Sequence, residues 1–231
     1  SRGHLDDSLG NFSLTLVDGL DTLAVMGDID EFETGMRLLL DRLSFNQDRN
    51  VSVFETNIRV LGGLLSIHVL ATEFKDQLKH PYHNQALRLA RELADRMMPA
   101  FETPTGIPFS RVNLQKGLIP GDTSETCTAG AGTLILEFGL LSKLTGNPKY
   151  EMAAKRAIRQ IWRSRSALNL VGNVINVMNG KWTYLSTGIG AGIDSFYEYL
   201  VKAYVLFGEK EYLGMFMDAY ESLNAFVKKD G

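Results

Sequence analysis

The chain has 231 residues, of which 45% are hydrophobic and 22% charged, and its formal net charge is −3. These values are typical of a globular protein that can bury a core, and the lack of a basic block excludes the charge pattern of a nucleic-acid-binding protein. No run approaches 18 consecutive apolar residues, so we expect no membrane span. The single cysteine, Cys127, excludes an internal disulfide framework.

Apolar residues recur at intervals of three and four along most of the chain, which predicts helices. The predicted helices cover residues 12–26, 30–44, 53–74, 84–100, 126–145, 148–164, 190–207 and 210–228. Strand signals are scarce. Residues 171–177 and 182–184 predict a small β-hairpin closed by a type I′ turn at Asn179-Gly180. Residues 105–114 predict a second extended segment.

Three junctions between predicted helices share a pattern, in which a glycine is followed by an aromatic residue in the first turn of the next helix. The pairs are Gly27 with Phe32, Gly146 with Tyr150, and Gly208 with Tyr212. Such glycines suit the left-handed position that ends a helix. The spacing predicts successive helical hairpins, of which four fit in the chain. We therefore predict an all-α toroid of helical hairpins that stops partway through a closed ring.

Acidic residues interrupt the first apolar helix. Asp18 and Asp21 are three residues apart and share one face among leucines. A carboxylate in such surroundings is costly to bury unless it is hydrogen-bonded or functional. A structural hydrogen-bonding role and direct contact with a substrate are both open, and spacing alone favours the structural one.

A second acidic position lies in VSVFETNIRVLGGLL, residues 51–65. Glu55 and Arg59 are four residues apart, the spacing of a helical ion pair, and the apolar neighbours are expected to surround the pair. A carboxyl group in apolar surroundings suits a general acid near neutral pH, but spacing alone favours a structural ion pair. The adjacent Gly62-Gly63 predicts close approach to a neighbouring helix.

A glycine-rich segment, STGIGAGIDSFYEYL at residues 186–200, leads into a helix that carries Asp194 and Glu198. No strand precedes it and no Lys-Ser/Thr follows it, so a phosphate-binding loop is disfavoured. Two acids beside aromatic residues suit a sugar site, in which rings stack on apolar sugar faces and carboxylates bind hydroxyls. Asp194 also has a purely structural interpretation as a favourable charge at a helix start.

Two tripeptides, at Asn11 and Asn50, fit the N-glycosylation pattern Asn-X-Ser. Chance matches of this kind are frequent, but the pair favours a protein of the secretory pathway. The histidines show no metal-ligand spacing with Cys127.

The motifs LTLVDGLDTL (14–23), VFETNIRVLGGLLS (53–66), MMPAFETPTGIPFSRVNL (97–114) and GIGAGIDSFYEYLVKAYVLFG (188–208) closely resemble glycoside hydrolase family 47. The resemblance runs from end to end in the same order, and implies that residues 1–231 are the N-terminal part of one (αα)7 barrel of an inverting, calcium-dependent α-1,2-mannosidase. The segments 117–123, 125–146 and 169–177 are similar to the subgroup of ER degradation-enhancing α-mannosidase-like proteins.

The resemblance also implies roles for individual residues. Glu55 matches the family's proton-donating acid, Arg59 its adjacent substrate-binding arginine, and Asp194 its second catalytic acid. Asp18 and Glu198 match acidic positions of the pocket. The resemblance places the calcium-binding threonine and the base-side glutamate beyond residue 231, so we expect no metal ligand in this chain and no activity of this segment alone.

The function that follows is trimming of terminal α-1,2-linked mannose from high-mannose N-glycans of misfolded glycoproteins in the lumen of the endoplasmic reticulum. Those glycoproteins are the expected partners, with an oxidoreductase of that compartment as a further candidate. A glycan-binding module that does not cut, and a helical scaffold for other proteins, are the two alternatives.

Overall fold

A computed structural model describes residues 12–228, so the candidate glycosylation site Asn11 lies outside the described residues. The described part is dominated by helices. The α-helices are α1 Leu14–Val25, α2 Ile29–Arg42, α3 Val53–Glu55, α4 Gly62–Glu73, α5 Gln85–Met97, α6 Thr128–Gly132, α7 Ile135–Thr145, α8 Lys149–Arg163, α9 Asp194–Phe207 and α10 Lys210–Phe226. A π-helical segment, Thr56–Leu61, joins α3 to α4, and a 3₁₀ turn, Met98–Phe101, follows α5.

Consecutive helices pack as pairs: α1 with α2, α4 with α5, α7 with α8, and α9 with α10. The glycines at three junctions, Gly27, Gly146 and Gly208, have φ of +85°, +68° and +74°. The aromatic residues that follow them, Phe32, Tyr150 and Tyr212, are at most 2% exposed. The predicted hairpins and their glycine–aromatic junctions are therefore confirmed in the described part of the chain.

Short strands form two small sheets that connect the helical pairs. Strand β1, Asn50–Ser52, pairs antiparallel with β2, Arg111–Asn113, and Val51 lies opposite Val112. Strand β3, Glu125–Cys127, pairs with β4, Val174–Asn176, which in turn pairs with β5, Trp182–Tyr184. Strand β1 leads directly to α3, and β3 leads directly to α6.

The predicted type I′ turn between β4 and β5 is wrong. That turn requires positive φ at both central residues, but within residues 12–228 the positive-φ residues include Gly180 at +70° and not Asn179. The chain instead turns through a longer loop, in which the Gly180 amide donates to the carbonyl of Asn176 at 2.8 Å.

Two predicted helix starts were also wrong. Residues 126–127 belong to β3, and the helix that follows is interrupted at Thr133, whose φ of −116° and ψ of 52° are not helical. The last-but-one helix begins at Asp194 and not at residue 190, because Gly192 has φ of +91°.

The rod Val53–Glu73, which combines α3, the π-helical segment and α4, is long and apolar enough by composition to cross a membrane. More than half of its most apolar window is buried within the fold, as expected for the core helix of a folded domain. Gly63 lies where this rod crosses α1. A Cβ built on Gly63 would lie 2.7 Å from both Cγ1 and the carbonyl oxygen of Val17, so only glycine allows this approach.

Candidate active site

Glu55 lies at the start of the central rod, immediately after β1. The Ser52 hydroxyl accepts a hydrogen bond from the Glu55 amide at 3.3 Å and caps the helix. The amide of Val53 donates to the carbonyl of Ser110 at 3.0 Å. The strand pairing and the cap together fix the point at which the helix begins, and so fix the position of the Glu55 carboxylate.

The residues after Glu55 form a π-helical segment of six residues, Thr56–Leu61. Such segments widen the helix locally and are frequent at functional sites. Thr56 and Asn57 are fully buried here, and Thr56 Oγ1 and Asn57 Oδ1 have no hydrogen-bond partner among the described residues. Unpaired buried polar atoms lower the free energy of unfolding, so this turn of the helix is locally destabilising.

Arg59 joins two carboxylates from different helices. Its Nε donates to Glu55 Oε2 at 2.8 Å, and its Nη1 lies 3.3 Å from Asp18 Oδ2. The first contact was predicted from spacing, whereas the second follows from the close crossing of α1 at Gly63, one helical turn beyond Arg59. The hydrogen bond and charge of Glu55, opposed in part by burial, raise the pKa of Arg59.

The Glu55–Arg59 pair is not wrapped in apolar groups as the sequence predicted. Asp18, Glu55 and Arg59 are 44%, 37% and 43% exposed. The apolar neighbours of Glu55 in sequence, such as Val53 and Val60, turn into the core and leave its carboxylate at the surface of the fold. The cluster is therefore open to a substrate, and its charges have partners before any ligand binds.

Asp21, which shares a helix face with Asp18, has a structural role. Its Oδ2 accepts a hydrogen bond from the Ser66 hydroxyl at 3.1 Å, so it links α1 to α4. Of the two acids on this face, Asp18 is the one that reaches the Glu55–Arg59 pair.

Glu137 on α7 is a site residue that the sequence reasoning missed. Its Oε2 accepts from Asn57 Nδ2 at 2.7 Å, and its Oε1 accepts from the Tyr199 hydroxyl at 2.9 Å. Burial raises the pKa of the Glu137 carboxyl, although these hydrogen bonds oppose the shift. The signal was present in the sequence, because Glu137 is an acid within the apolar stretch LILEF, and the argument applied to Asp18 applies to it as well.

Glu137 connects the rod that carries Glu55 to the helix that carries the second group of predicted acids. Tyr199 lies on α9, as do Asp194 and Glu198. Asp194 is exposed at the first position of α9, and its Oδ1 accepts from the amide of Ser195 at 2.9 Å. Glu198 is exposed and pairs with Lys202 at 2.6 Å. Among the described residues, neither acid forms a hydrogen bond or ion pair with the Asp18–Arg59–Glu55 cluster.

Within residues 12–228, no group of three or more His, Cys, Asp or Glu side chains is placed to hold a metal ion. The described residues therefore supply no calcium site of that kind. Cys127 is a free, half-buried thiol whose sulfur accepts the amide of Gly130 at 3.2 Å and caps α6. Asn50 is exposed on β1, and its Oδ1 accepts from Asn113 Nδ2 at 2.8 Å.

A family model described as "Glycosyl hydrolase family 47" matches residues 1–230. The chain belongs to this family. It is 53% identical to Alpha-mannosidase I MNS4 of Arabidopsis thaliana over 97% of the chain and 36% of the relative. It is 47% identical to the human ER degradation-enhancing alpha-mannosidase-like protein 2 over 99% of the chain and 39% of the relative. The chain thus spans less than half the length of these relatives.

The fold is also that of the family. The structure of the alpha-1,2-mannosidase from Trichoderma reesei matches with a TM-score of 0.82 and 32% identity, over 93% of this chain and 46% of that one. The predicted fold class, a partial (αα)7 barrel of helical hairpins with a small β-hairpin, is confirmed. The chain therefore belongs to a glycosidase family. The relatives named above are α-mannosidases or α-mannosidase-like proteins.

Proposed function

We propose that this chain forms one wall of the active site of an inverting mannosidase. Its proposed reaction removes terminal α-1,2-linked mannose from high-mannose N-glycans of misfolded glycoproteins. The observation that carries the proposal is the exposed cluster of Asp18, Glu55 and Arg59, assembled from two helices in a chain of this family. Relatives named for α-mannosidase activity and for ER degradation support the substrate and the pathway.

In the proposed mechanism Glu55 is the general acid that delivers a proton to the leaving oxygen, directly or through a water molecule. Arg59 keeps the carboxylate oriented by its bond to Oε2 and offers Nη2, which bonds neither carboxylate, to substrate hydroxyls. In an inverting glycosidase a second carboxylate activates water on the opposite face of the sugar, about 6.5–9.5 Å away. Asp194 assists as a second acid of the site, with Asp18 and Glu198 as sugar-binding acids at its rim.

Calcium, the endoplasmic reticulum lumen and N-glycosylation at Asn50 belong to the proposal for the complete protein. We place no reaction step on calcium, because the described residues form no metal-binding group of the kind sought. The exposed side chain of Asn50 leaves its amide nitrogen accessible to a glycan, and the ER degradation-enhancing names of the relatives support the compartment. An oxidoreductase of the same compartment remains a proposed partner, without an assigned contact.

The test is to incubate the complete protein with a high-mannose oligosaccharide and to follow the released sugar by proton NMR. An inverting α-mannosidase releases mannose first as the β-anomer. Release of the α-anomer would overturn the mechanism. Tight binding of the oligosaccharide with no release would favour the glycan-binding module that does not cut.

A further inference from the structure

The glycine-rich loop before Asp194 is bonded to residues from other parts of the fold. Asn173 precedes β4, and its Nδ2 donates to the carbonyl of Ala191 at 2.9 Å. One residue later, the carbonyl of Gly192 accepts from the amide of Ala129 at 2.8 Å. The loop is therefore fastened at two adjacent residues, to Asn173 on one side and to α6 on the other.

Asn173 is itself fixed by its backbone. Its amide donates to the carbonyl of Tyr184 at 3.0 Å, and its carbonyl accepts from the amide of Thr128 at 2.9 Å. It thus touches β5, the start of α6 and the glycine-rich loop at once. Neither its backbone nor its carboxamide is used by the proposed chemistry.

The fit between Asn173 and the loop leaves no room for a side chain at Gly192. A Cβ built on Gly192 would lie 2.4 Å from Asn173 Oδ1, and the φ of +91° is a conformation that other residues rarely adopt. Gly190, in the same loop, has no atom within 4 Å of a built Cβ. Of Gly190 and Gly192, only the residue that faces Asn173 is therefore required to be glycine.

The anchored loop leads to both predicted acids. The Asp194 amide donates to the carbonyl of Gly190 at 2.9 Å, so the loop sets the first turn of α9. On the other side, α6 packs against α3, and a Cβ built on Gly130 would lie 3.9 Å from Cβ of Phe54, the neighbour of Glu55. A series of contacts through Phe54, α6 and Gly192 therefore connects Glu55 with Asp194.

We propose that Asn173 is a positioning residue that fixes Asp194 relative to Glu55 by clamping the glycine-rich loop against α6. The proposal rests on the proposed function for its catalytic consequence, but its structural half stands independently. Loss of the clamp lets the start of α9 move away from α6, and a displacement of about 1 Å in an active site can lower the rate about a hundredfold.

The experiment compares the complete protein with N173A, N173D and the control N176D. Asn176 lies three residues later, at the end of β4, but its Nδ2 bonds the Ser124 hydroxyl, which can also donate to a carboxylate. Peptide hydrogen exchange over residues 188–194 reports the clamp without any need for activity. We expect N173A and N173D to lose protection by about tenfold or more as local opening becomes easier, and N176D to match the wild type.

The kinetic readout separates positioning from general damage. We expect kcat of N173A and N173D to fall about tenfold or more while KM changes less than about twofold. At low pH the N173D side chain becomes protonated and can again donate to Ala191. Its kcat relative to the wild type should therefore recover as the pH falls, which that of N173A cannot do.

A double-mutant cycle tests the fit at Gly192. G192A should lose activity and G190A should not, and the loss in the N173A/G192A double variant should be smaller than the combined single losses, because the clash is removed. Unchanged exchange in N173A overturns the proposal whatever the activity. Changed exchange with unchanged kcat in an active wild type also overturns it. If the wild type releases no mannose but N173A loses protection, the proposed function fails and the clamp stands.

Discussion

At the scale of single residues, the candidate site is defined by one arginine that contacts two carboxylates. Arg59 divides its guanidinium between Glu55 and Asp18, and all three side chains keep more than a third of their surface exposed. Glu137, in contrast, is half-buried and bonded to Asn57 and Tyr199. The exposed carboxylates can meet a substrate, whereas Glu137 holds together the elements that carry them.

The protonation of Glu137 should be visible in the pH dependence of stability. Burial raises its pKa in the folded protein, so its favourable contribution is complete below the unfolded value of about 4.3 and is lost as the pH rises through the folded value. We expect the unfolding free energy of E137Q to rise relative to that of the wild type between pH 4 and pH 7.5, because only the wild type loses this contribution. Urea unfolding at the two pH values measures this, with E73Q, at the exposed far end of α4, as control. A pH-independent difference would contradict the assignment.

Part of this site could be predicted from the sequence. The Glu55–Arg59 pair follows from a spacing of four residues on one helix. The contact of Arg59 with Asp18 could not be derived in this way, because it depends on the crossing of two helices at Gly63. The exposure of Glu55 and Arg59 was predicted wrongly for a related reason. Apolar neighbours in sequence do not determine which way a charged side chain points.

At the scale of elements, the crossing of α1 and the central rod decides whether the cluster assembles. The contact of Gly63 with Val17 brings the next residue, Asp18, to Arg59. Gly62 is different, because the nearest atom to a built Cβ is 3.6 Å away, an ordinary contact. The two glycines could not be distinguished from the sequence, whereas in the structure the close approach is at Gly63.

The two adjacent glycines give a matched pair of variants. We expect G63A to lower the unfolding free energy by about 1–3 kcal/mol, because the added methyl group meets a backbone carbonyl that cannot rotate away. G62A should be neutral or stabilising by up to about 1 kcal/mol, because alanine favours the helix. Thermal unfolding of both variants checks the prediction, and equal effects would show that the crossing is not this tight.

The helices were predictable, and so were three of the five strands in residues 12–228, since β2, β4 and β5 lie within the predicted extended segments. Strands β1 and β3 were not predicted, for a physical reason. Each long helix presents a repeated apolar face over three or more turns, as α8 does, with Tyr150, Ile158 and Ile161 buried. Strands β1 and β3 have three residues each, too few for an alternating pattern to be recognised. β3 was therefore read as the first turn of a helix.

At the scale of the whole molecule, buried charges also tie successive helical pairs together. Glu33 on α2 is 3% exposed, and its carboxylate accepts the amides of Lys79 and His80 at 2.7 and 2.8 Å. This links the first pair to the segment that leads into α5. Burial alone raises the pKa of Glu33, but these hydrogen bonds and the bond from the His80 side chain outweigh it and lower the pKa.

Low pH should therefore lower the stability that the contacts of Glu33 provide. Because the folded pKa of Glu33 is lowered, its contribution is present above the unfolded value of about 4.3 and is lost as the pH falls through the folded value. We expect the melting temperature of the wild type to drop more steeply than that of E33Q when the pH is lowered from 5 to 3. E31Q, an exposed neighbour on the same helix, should follow the wild type, and parallel curves for all three proteins would contradict the link.

The central claim is that Glu55 is the acid of a mannose-trimming site, and the rate of mannose release by E55Q in the complete protein tests it most directly. The substitution keeps the size of the side chain and removes the transferable proton, so we predict a rate about 10²–10⁴-fold below that of the wild type, with oligosaccharide binding retained. E73Q, on the same helical rod, should trim at the wild-type rate. Unchanged trimming by E55Q would contradict the account.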